Sequence, residues 1–415
     1  MTATAPLDLG DRAFWNAPWA ERYAGFAALR AADGLAHFEE PEFAGLPTGA
    51  GFRAVVRHAD VEAVSRDPAL FRSGQGAVSI MDLPPEAHEF FGSLISMDAP
   101  RHTKIRRVAA RAFTPRRITE LMATVERIAA SVVARAATLD GPFDLVTEVA
   151  APLPLLVICE MMGVPEGRVE DVVRHSNVIL AGDDPEFIPD PTNALQDYLA
   201  AGAGLAGLMT ELAEARREAP TDDVTSALVH GEVDGESLTP QEIASFFILL
   251  CVAGNETTRN AISHGVWGLH LHPSQRAAWV ADVEGLTPTA VDEIVRWASP
   301  INWMRRTVAA DTVVGGQTLA AGEKLLLVYG SANRDDTVFA DPDRLDLRRS
   351  PNPHQGFGAH GPHFCLGAHL ARREIEVAFR TLFASMPGLE VVGEPDRLSS
   401  LFVNGIKHLP VSSGG

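Results

Sequence analysis

Cysteine is scarce in this chain of 415 residues, since only Cys159, Cys251 and Cys365 occur and they lie far apart. An odd number of widely separated cysteines argues against a disulfide framework or a Cys-x-x-Cys metal site. The sequence therefore indicates a protein of a reducing compartment, and we expect it to be cytoplasmic.

Long apolar runs are also missing. The longest stretch, ASFFILLCVAG near residues 244 to 254, is about half the roughly 20 residues that cross a bilayer. The first residues, MTATAPLDLGDRAFW, include acidic groups and lack the basic start and apolar core of a secretory signal. We expect neither a membrane anchor nor export.

Positive charge is in deficit, because 35 lysines and arginines face 54 aspartates and glutamates, which gives a formal net charge of -19. Non-specific nucleic-acid binding needs a basic surface and is therefore disfavoured. One segment departs from this acidic background and contains no acidic residue. Its basic residues are Arg101, Lys104, Arg106, Arg107, Arg111, Arg116 and Arg117. Such a segment predicts a docking or ligand-binding face.

The apolar spacing from about residue 98 to 300 is mainly helical. Thr239, Pro240 and Glu242 form a capping box with proline at the first helical position, and the next helix breaker is Pro273. One helix of about 45 to 50 Å is therefore predicted. After Pro300 the β-branched runs predict a small β region. No repeat or low-complexity linker divides the chain, so we expect one mainly α domain over residues 1–415.

A glycine-rich loop, QGFGAHGPHFCLG, leads into the helical segment AHLARREIEVAFRTLF. A thiolate just before a helix N-terminus is stabilised by the helix dipole and by free backbone N–H groups, which favours Cys365 as a reactive sulfur. Gly358, Gly361 and Gly367 leave room for a flat macrocycle, and Phe357 can cover the sulfur. A buried structural cysteine is the alternative. A zinc site with the histidines of this loop is another, although it lacks a fourth ligand nearby.

The segment GFGAHGPHFCLGAHLARRE resembles the haem-binding signature of the cytochrome P450 family. The resemblance implies haem b with Cys365 as axial thiolate, Phe357 over the sulfur and His363 on a propionate. It also implies the P450 fold, with the haem between the long helix and the cysteine loop. The spacing from Phe357 to Cys365 is one residue longer than in the commonest form, which leaves the role of His360 open.

The long helix contains CVAGNETTRN, where Gly254 costs roughly 1 kcal/mol relative to alanine in a helix interior. The Thr257 hydroxyl can compete for the Ala253 carbonyl and open a notch in the helix beside the cofactor. Glu256 and Thr257 resemble the family's acid–alcohol pair, which relays protons during dioxygen activation. Alternatively, Glu256 forms a salt bridge with a neighbouring element and Thr257 only bonds back to its own helix. No role is assigned to Thr258.

The family resemblance extends to further charged residues. Glu293 and Arg296 resemble its Glu-x-x-Arg pair, with Arg344 as the third member of that buried network. The residues that match positions binding the propionates are His102, Arg106 and Arg306. The predicted docking face for an acidic electron-transfer protein comprises Lys104, Arg107, Arg111, Arg372 and Arg373.

The resemblance implies a monooxygenase that hydroxylates an unactivated C–H bond with dioxygen and two electrons. No flavin fingerprint is present, so the electrons are expected from a ferredoxin and its NAD(P)H-dependent reductase. Candidate pocket walls are the loop from Val78 to Phe91 together with Phe246, Leu249, Leu250, Ala253, Ile301, Asn302, Trp303, Leu401 and Phe402. These largely apolar walls favour a sterol, a terpenoid, a branched fatty chain or a macrolide-like product.

Two other functions stay open on the sequence. A peroxide-driven haem peroxygenase would need no ferredoxin, but such relatives usually lack the acid–alcohol pair. A non-enzymatic haem carrier or gas sensor would bind the cofactor and form no product.

Overall fold

The structure is a computed structural model that describes residues 7–42, 48–82, 93–180, 184–188, 193–233 and 235–414. Most of the predicted pocket loop between Val78 and Phe91 lies outside these ranges, since only its first five residues are described. Among the described residues, no helix combines the length and the apolar character that a bilayer crossing requires.

Helices dominate the architecture, as the apolar spacing predicts. In chain order they are α1 (Arg12–Asn16), α2 (Trp19–Ala31), α3 (His58–Arg66), α4 (Arg101–Ala110), α5 (Pro115–Ala137), α6 (Pro152–Met162), α7 (Val169–Leu180), α8 (Ala194–Glu218), α9 (Val224–Val229), α10 (Pro240–Leu249), α11 (Asn255–Leu271), α12 (Pro273–Ala281), α13 (Val283–Ala298), α14 (Tyr329–Ala332) and α15 (Ala368–Ser385).

The strands are short and form small sheets. They are β1 (His37–Phe38), β2 (Phe52–Val55), β3 (Phe71–Arg72), β4 (Phe143–Asp144), β5 (Glu232–Val233), β6 (Glu236–Ser237), β7 (Trp303–Val308), β8 (Thr312–Val314), β9 (Gln317–Leu319), β10 (Lys324–Val328), β11 (Glu390–Val391), β12 (Asp396–Arg397), β13 (Ile406–His408) and β14 (Pro410–Ser412). The largest described sheet has five strands in the order β1-β2-β10-β7-β3. The prediction of a mainly α fold with a small β region is confirmed.

The long helix predicted from the capping box is confirmed. Thr239 accepts a hydrogen bond from the Glu242 N–H and the Glu242 side chain accepts one from the Thr239 N–H. From Pro240 the helix continues through a π-helical turn at Leu250–Gly254 into α11, which ends at Leu271 before Pro273. In α11 nearly every residue from Asn255 to Leu269 is buried. The helix therefore runs through the centre of the main core, with its irregularity at the predicted notch.

The five-stranded sheet separates two smaller apolar clusters. Because side chains alternate across a strand, Leu325 and Leu327 of β10 belong to one cluster, whereas Leu326 and Val328 belong to the other. The same alternation places Met304 and Trp303 of β7 in different clusters. The alternation along β7 determines which of its side chains lie on the same face of the sheet as Arg306.

Candidate active site

Cys365 lies three residues before α15, and the loop around it is tightly organised. Its backbone N–H donates to the Phe357 carbonyl at 3.0 Å. Burial raises the pKa of the Cys365 thiol, and the Gly367 N–H, Arg106 and Arg372 act in the opposite direction. Burial is the largest of these effects, and a cation at the sulfur would favour the thiolate.

Two glycines of the loop have backbone angles that favour glycine. Gly358 has a φ of +82° and Gly361 a φ of +153°. A Cβ on Gly361 would also lie 2.2 Å from the Ser65 carbonyl oxygen, so a side chain there would displace the α3 segment. Gly367 has an ordinary φ, and a Cβ there would meet nothing within 4 Å among the described residues. The absence of a side chain at Gly367 therefore leaves open space beside the sulfur.

Phe357 is half-buried, and the Arg372 guanidinium lies 4.4 Å from the centre of its ring. The same guanidinium forms an ion pair with Asp292 at 2.7 Å. Arg372 thus holds the cysteine loop against α13 and is less available for docking than the sequence implied. His360 is exposed, with its ring 6.3 Å from that of Phe364.

The π-helical turn forms the notch that the sequence predicts. Thr257 Oγ1 donates to the Ala253 carbonyl oxygen at 2.7 Å, which confirms the predicted back-bond. Ala253 is exposed although Cys251 and Asn255, two residues away on either side, are almost completely buried. A Cβ on Gly254 would lie 3.0 Å from Ile158 Cδ1, so glycine lets α6 approach the turn. An exposed residue in a core-spanning helix indicates a recess inside the molecule.

Glu256 is buried, and its partners belong to its own helix rather than to a neighbouring element. Its Oε1 accepts from Arg259 Nη2 at 2.5 Å and from Asn260 Nδ2 at 2.7 Å. Its Oε2 is buried and has no hydrogen-bond partner among the described residues. One carboxylate oxygen is therefore available for a proton or a water, next in sequence to the Thr257 hydroxyl.

Four cationic or potentially cationic side chains gather near the cysteine loop. The rings of His102 from α4 and His363 are 4.2 Å apart, and both His102 and Arg306 are buried. Burial is the largest cause that lowers the pKa of His102 to about 4 and that of His363 to about 2. Arg106 donates to the Phe364 carbonyl at 2.5 Å. The structure thus brings together all four residues predicted to bind the propionates.

This group has the properties that an anionic cofactor requires. Burial lowers the pKa of Arg306, which forms no ion pair with a described carboxylate, and the buried His102 Nε2 has no described hydrogen-bond partner. Burying such groups without an anion costs free energy, which the two carboxylates of a haem would offset. The donor set and the sulfur therefore fit a haem. A small-metal site fits less well, because no cluster of three or more metal-ligating side chains occurs among the described residues.

The buried network of Glu293 and Arg296 corrects one prediction. Arg296 donates to both carboxylate oxygens of Glu293, at 2.7 and 2.8 Å. The third member is Arg349, whose Nε lies 3.1 Å from Glu293 Oε2, and not Arg344. Arg344 is exposed and contributes only its carbonyl oxygen, which accepts from Arg296 at 3.1 Å. Three arginines occur within six residues here, and the sequence offers no local signal that distinguishes them.

The predicted pocket residues divide between two regions. Phe246 is fully buried in the main core, with Leu249 and Leu250 half-buried at its edge. Trp303 packs on Phe402 at 5.0 Å between ring centres and donates to the Leu401 carbonyl at 2.9 Å.

Strand parity separates Trp303 from Arg306, whereas Leu401 and Phe402 lie outside the strands. Trp303 belongs to the sheet face opposite to the one that carries Arg306, so the structure does not bring it to the cationic group. Ile301 and Met304 pack on the other cluster instead. Met304 is a wall candidate that the sequence reasoning missed, although alternation from Arg306 would have found it.

The predicted docking face carries less net positive charge than the basic residues in its sequence suggest. Lys104 pairs with Glu236 of the β5–β6 hairpin, and Arg101 pairs with Glu242 at 3.4 Å. Arg111 donates to the Glu232 carbonyl at 3.4 Å, and Arg373 pairs with Glu376 at 2.7 Å. Glu236, Glu242 and Glu376 thus neutralise part of this surface.

Comparison with known proteins agrees with this geometry. Residues 86–385 match the family model described as Cytochrome P450. The chain is 47% identical over 412 residues to a Mycobacterium tuberculosis protein named methyl-branched lipid omega-hydroxylase, which covers 98% of this chain and 95% of that relative. It is 39% identical over 407 residues to a Rhodococcus jostii steroid C26-monooxygenase, with 96% and 84% covered.

A solved Mycobacterium marinum cytochrome P450, in complex with pseudoionone, has a TM-score of 0.94 and 39% identity, and 99% of each chain is covered. The chain therefore belongs to the cytochrome P450 family, the haem-thiolate enzymes. Within that family it is a monooxygenase, as its relatives are named, and a haem is its cofactor.

Proposed function

We propose that this protein hydroxylates the terminal methyl group of a methyl-branched aliphatic chain, with haem b as its cofactor. The observation that carries the proposal is the likeness, over 98% of the chain, to a methyl-branched lipid omega-hydroxylase. A steroid side chain ends in a similar branched group, and a steroid C26-monooxygenase is also among the relatives. The common substrate feature is a flexible, branched apolar end.

In this proposal Cys365 would ligate the iron, while His102, Arg106, Arg306 and His363 would hold the two carboxylates. Phe357, Gly358 and Gly367 would border the haem near the sulfur, and Ala253 and Gly254 would border it at the recess of the central helix. When bound, the haem would supply dioxygen activation, in which one oxygen atom enters a C–H bond and the other is reduced to water by two electrons and two protons.

Glu256 and Thr257 supply those protons in this proposal. The Thr257 hydroxyl donates to the Ala253 carbonyl, and its oxygen can in turn accept a hydrogen bond from a water or another donor. Glu256 keeps one carboxylate oxygen without a described partner, which can take a proton from solvent and pass it on. The ion pair to Arg259 fixes the other oxygen and so orients the carboxyl group.

The pocket is assigned to apolar side chains on both sides of this recess. Phe246, Leu249 and Leu250 come from the central helix, and Ile301 comes from the segment before β7. Leu401 and Phe402 complete the predicted wall from the C-terminal segment, and Met304 replaces Trp303. A terminal methyl has stronger C–H bonds than the carbons behind it, so oxidation there requires a pocket that presents the chain end first.

Electrons come from a ferredoxin and its NAD(P)H-dependent reductase in this proposal. The docking face is the basic surface around Lys104, Arg107, Arg111, Arg372 and Arg373. Because the charges there are partly paired, shape and a few exposed guanidinium groups contribute more to docking than net charge does.

The first test compares the spectrum of the reduced, carbon monoxide-bound protein with that of Cys365→Ala. A strongly red-shifted Soret band that the variant loses supports thiolate ligation, and a band typical of histidine ligation contradicts it. The second test supplies ferredoxin, reductase, NADPH and labelled dioxygen with an iso-branched fatty acid, its straight-chain counterpart or a sterol. The proposal expects a terminally hydroxylated branched product with one labelled oxygen atom. Preference for the straight chain, or internal hydroxylation, contradicts the assigned substrate class.

The same assay separates the other two functions. A peroxygenase would form product with hydrogen peroxide alone at a rate comparable to the complete system. A haem carrier or gas sensor would form no labelled product from any of the three substrates.

A further inference from the structure

Three arginine side chains from distant parts of the sequence converge on the aromatic residues of α2. Arg334, which follows α14, lies 3.7 Å from the centre of the Tyr23 ring. Arg397 of β12 lies 4.6 Å from the centre of the Trp19 ring. Arg22 of α2 is close enough to both that Arg397 lowers the pKa of Arg22 and Arg22 lowers the pKa of Arg334. We call these three residues the arginine cluster.

The arginine cluster has little compensating negative charge. Arg22 is 4% exposed, and its guanidinium donates only to neutral oxygens, those of Trp15 and Asn404. Among the described residues, neither Arg22 nor Arg397 forms an ion pair with a carboxylate. Nearby negative charge is weak, because Glu394 acts on Arg397 only at longer range.

Arg334 is 1% exposed and, among the described residues, is the one member with an acidic partner. Its Nε lies 3.5 Å from Asp343 Oδ1, a long contact to a side chain that is 70% exposed. Its Nη2 donates to the Trp297 carbonyl at 2.8 Å. Three guanidinium groups therefore share one distant, solvated carboxylate in the described part of the chain.

Several polar atoms of this region are buried and complete no hydrogen bond to a described residue. They are Arg22 Nε, Arg334 Nε and Nη1, Tyr23 Oη and Trp19 Nε1. Tyr23 raises the pKa of Arg22, so its hydroxyl lies close to that guanidinium. The four nitrogen atoms only donate, whereas the Tyr23 hydroxyl can also accept a hydrogen bond.

An anion is the occupant that such a donor set selects. Burial lowers the pKa of Arg22 and of Arg334 to about 10, so both are still positively charged at neutral pH. A buried charge without a partner is costly, and a negative ion among the guanidinium groups offsets that cost. We propose that the arginine cluster is a binding site for a small monovalent anion of the size of chloride.

Ordered water is the competing occupant. A water has two hydrogens to donate as well as two lone pairs, and it therefore needs acceptors. His264 offers one nearby, because its Nε2 bonds to the Asn404 carbonyl and burial holds its pKa at about 3, which leaves Nδ1 as an acceptor. Two acceptors, His264 Nδ1 and the Tyr23 hydroxyl oxygen, stand against four nitrogen atoms that only donate. This balance favours an anion over water, and the experiment distinguishes the two.

Bromide is a chloride analogue with an anomalous X-ray signal, so crystals of the haem-loaded enzyme are soaked in sodium bromide. The proposal expects an anomalous peak about 3 to 3.5 Å from guanidinium nitrogens of the cluster. Arg397→Gln should lose the peak. Arg397 is chosen because it is half-exposed and its replacement leaves the buried members intact. Ordinary water density without anomalous signal in the wild type would overturn the proposal.

A solution measurement gives an independent result. The melting temperature should rise by about 1 to 2 °C for each tenfold increase in chloride above the Kd, relative to isethionate at equal ionic strength. Arg397→Gln should abolish this dependence, whereas the exposed Arg217→Gln on α8 should retain it. Equal slopes in wild type and Arg397→Gln, or equal slopes in chloride and isethionate, would show a general salt effect and overturn the site.

Discussion

Two glutamate–arginine pairs in this protein share the same spacing and the same burial but differ in their hydrogen bonding. Glu256 and Arg259 lie three residues apart in α11, and Glu293 and Arg296 lie three apart in α13. All four side chains are buried. The three-residue spacing brings glutamate and arginine together within each helix. The surrounding elements determine which further hydrogen bonds each pair makes.

The pair in α13 is fully satisfied. Glu293 accepts from Arg296 and Arg349, from the Asp346 N–H at 2.9 Å and from Asn352 at 3.2 Å. Arg296 also donates to three backbone carbonyls of the segment that precedes the cysteine loop, those of Asn333, Pro342 and Arg344. Such a network fixes that segment on α13 and leaves no group free for chemistry.

The pair in α11 is incomplete. Both donors to Glu256 use one oxygen, and Glu256 Oε2 and Arg259 Nε have no described partner. The π-helical turn directly before it gives this region access to the recess at Ala253. An under-satisfied buried carboxyl beside a recess suits proton transfer, whereas a saturated one suits rigidity.

Glu293→Gln tests the structural role and should have the largest effect. Replacing one partner leaves two arginines without their counter-charge, which should lower the free energy of unfolding by about 3 to 5 kcal/mol. Urea denaturation and haem content report this loss. Glu284→Gln, in the exposed first turn of the same helix, is the control and should change stability little. A Glu293 variant as stable as that control would remove the distinction between the two pairs.

Glu256→Gln tests the chemical role of the other pair. Loss of the ionisable oxygen should lower kcat by about 100-fold, with an increased solvent isotope effect and an unchanged carbon monoxide spectrum. The free energy of unfolding should fall less than in Glu293→Gln, because fewer partners are lost. Glu256→Asp keeps a carboxylate and should recover part of the rate. Wild-type turnover in the glutamine variant would exclude the relay.

Arg349→Ala and Arg344→Ala test which of these two arginines completes the Glu293 network. Arg349 contacts Glu293 directly, so its removal should cost about 2 to 3 kcal/mol of unfolding free energy. Arg344 contributes a backbone carbonyl that alanine retains. Arg344→Ala should therefore change the free energy of unfolding by no more than about 0.5 kcal/mol. Chemical denaturation of the two variants side by side decides the assignment. The reverse order of stabilities would restore Arg344 to the network.

Thr257→Ala tests the hydroxyl group that lies next in sequence to the Glu256–Arg259 pair of α11. Without the hydroxyl, proton delivery at the recess should fail more often, so NADPH consumption should continue while the yield of product per NADPH falls several-fold. Hydrogen peroxide release accounts for the difference and is measured directly. Thr257→Ser keeps the hydroxyl and should restore coupling. Unchanged coupling in the alanine variant would leave Thr257 with only its helix bond to Ala253.

Glu374 on α15 is another buried carboxyl, and no described arginine forms an ion pair with it. Burial raises its pKa to about 8, against which a hydrogen bond from Thr258 acts. Its folded-state pKa therefore lies above the unfolded value, so the folded protein retains a proton that the unfolded chain releases. Stability should consequently decline as pH rises from about 4.5 to 8. Glu374→Gln should flatten this decline in denaturation curves, and an unaltered slope would contradict it.

Local features of this chain were predictable because their causes act within a few residues. The capping box, the proline limits and the Thr257 back-bond each involve neighbours along one helix, and the structure confirms all three. The placement of Cys365 before α15 follows likewise from the loop and the apolar spacing after it. The family signature then identified the fold, which the comparisons confirm.

The sequence by itself therefore determined the helical architecture, the sulfur ligand candidate and the irregular turn in the central helix. Only the tertiary structure decided that Arg349 rather than Arg344 completes the Glu293 network, that Trp303 faces away from Arg306, and that three distant arginines meet at α2. These outcomes depend on how strands and loops far apart in sequence pack together. Helical and strand periodicity specifies which residues share a face, but it does not specify what that face meets.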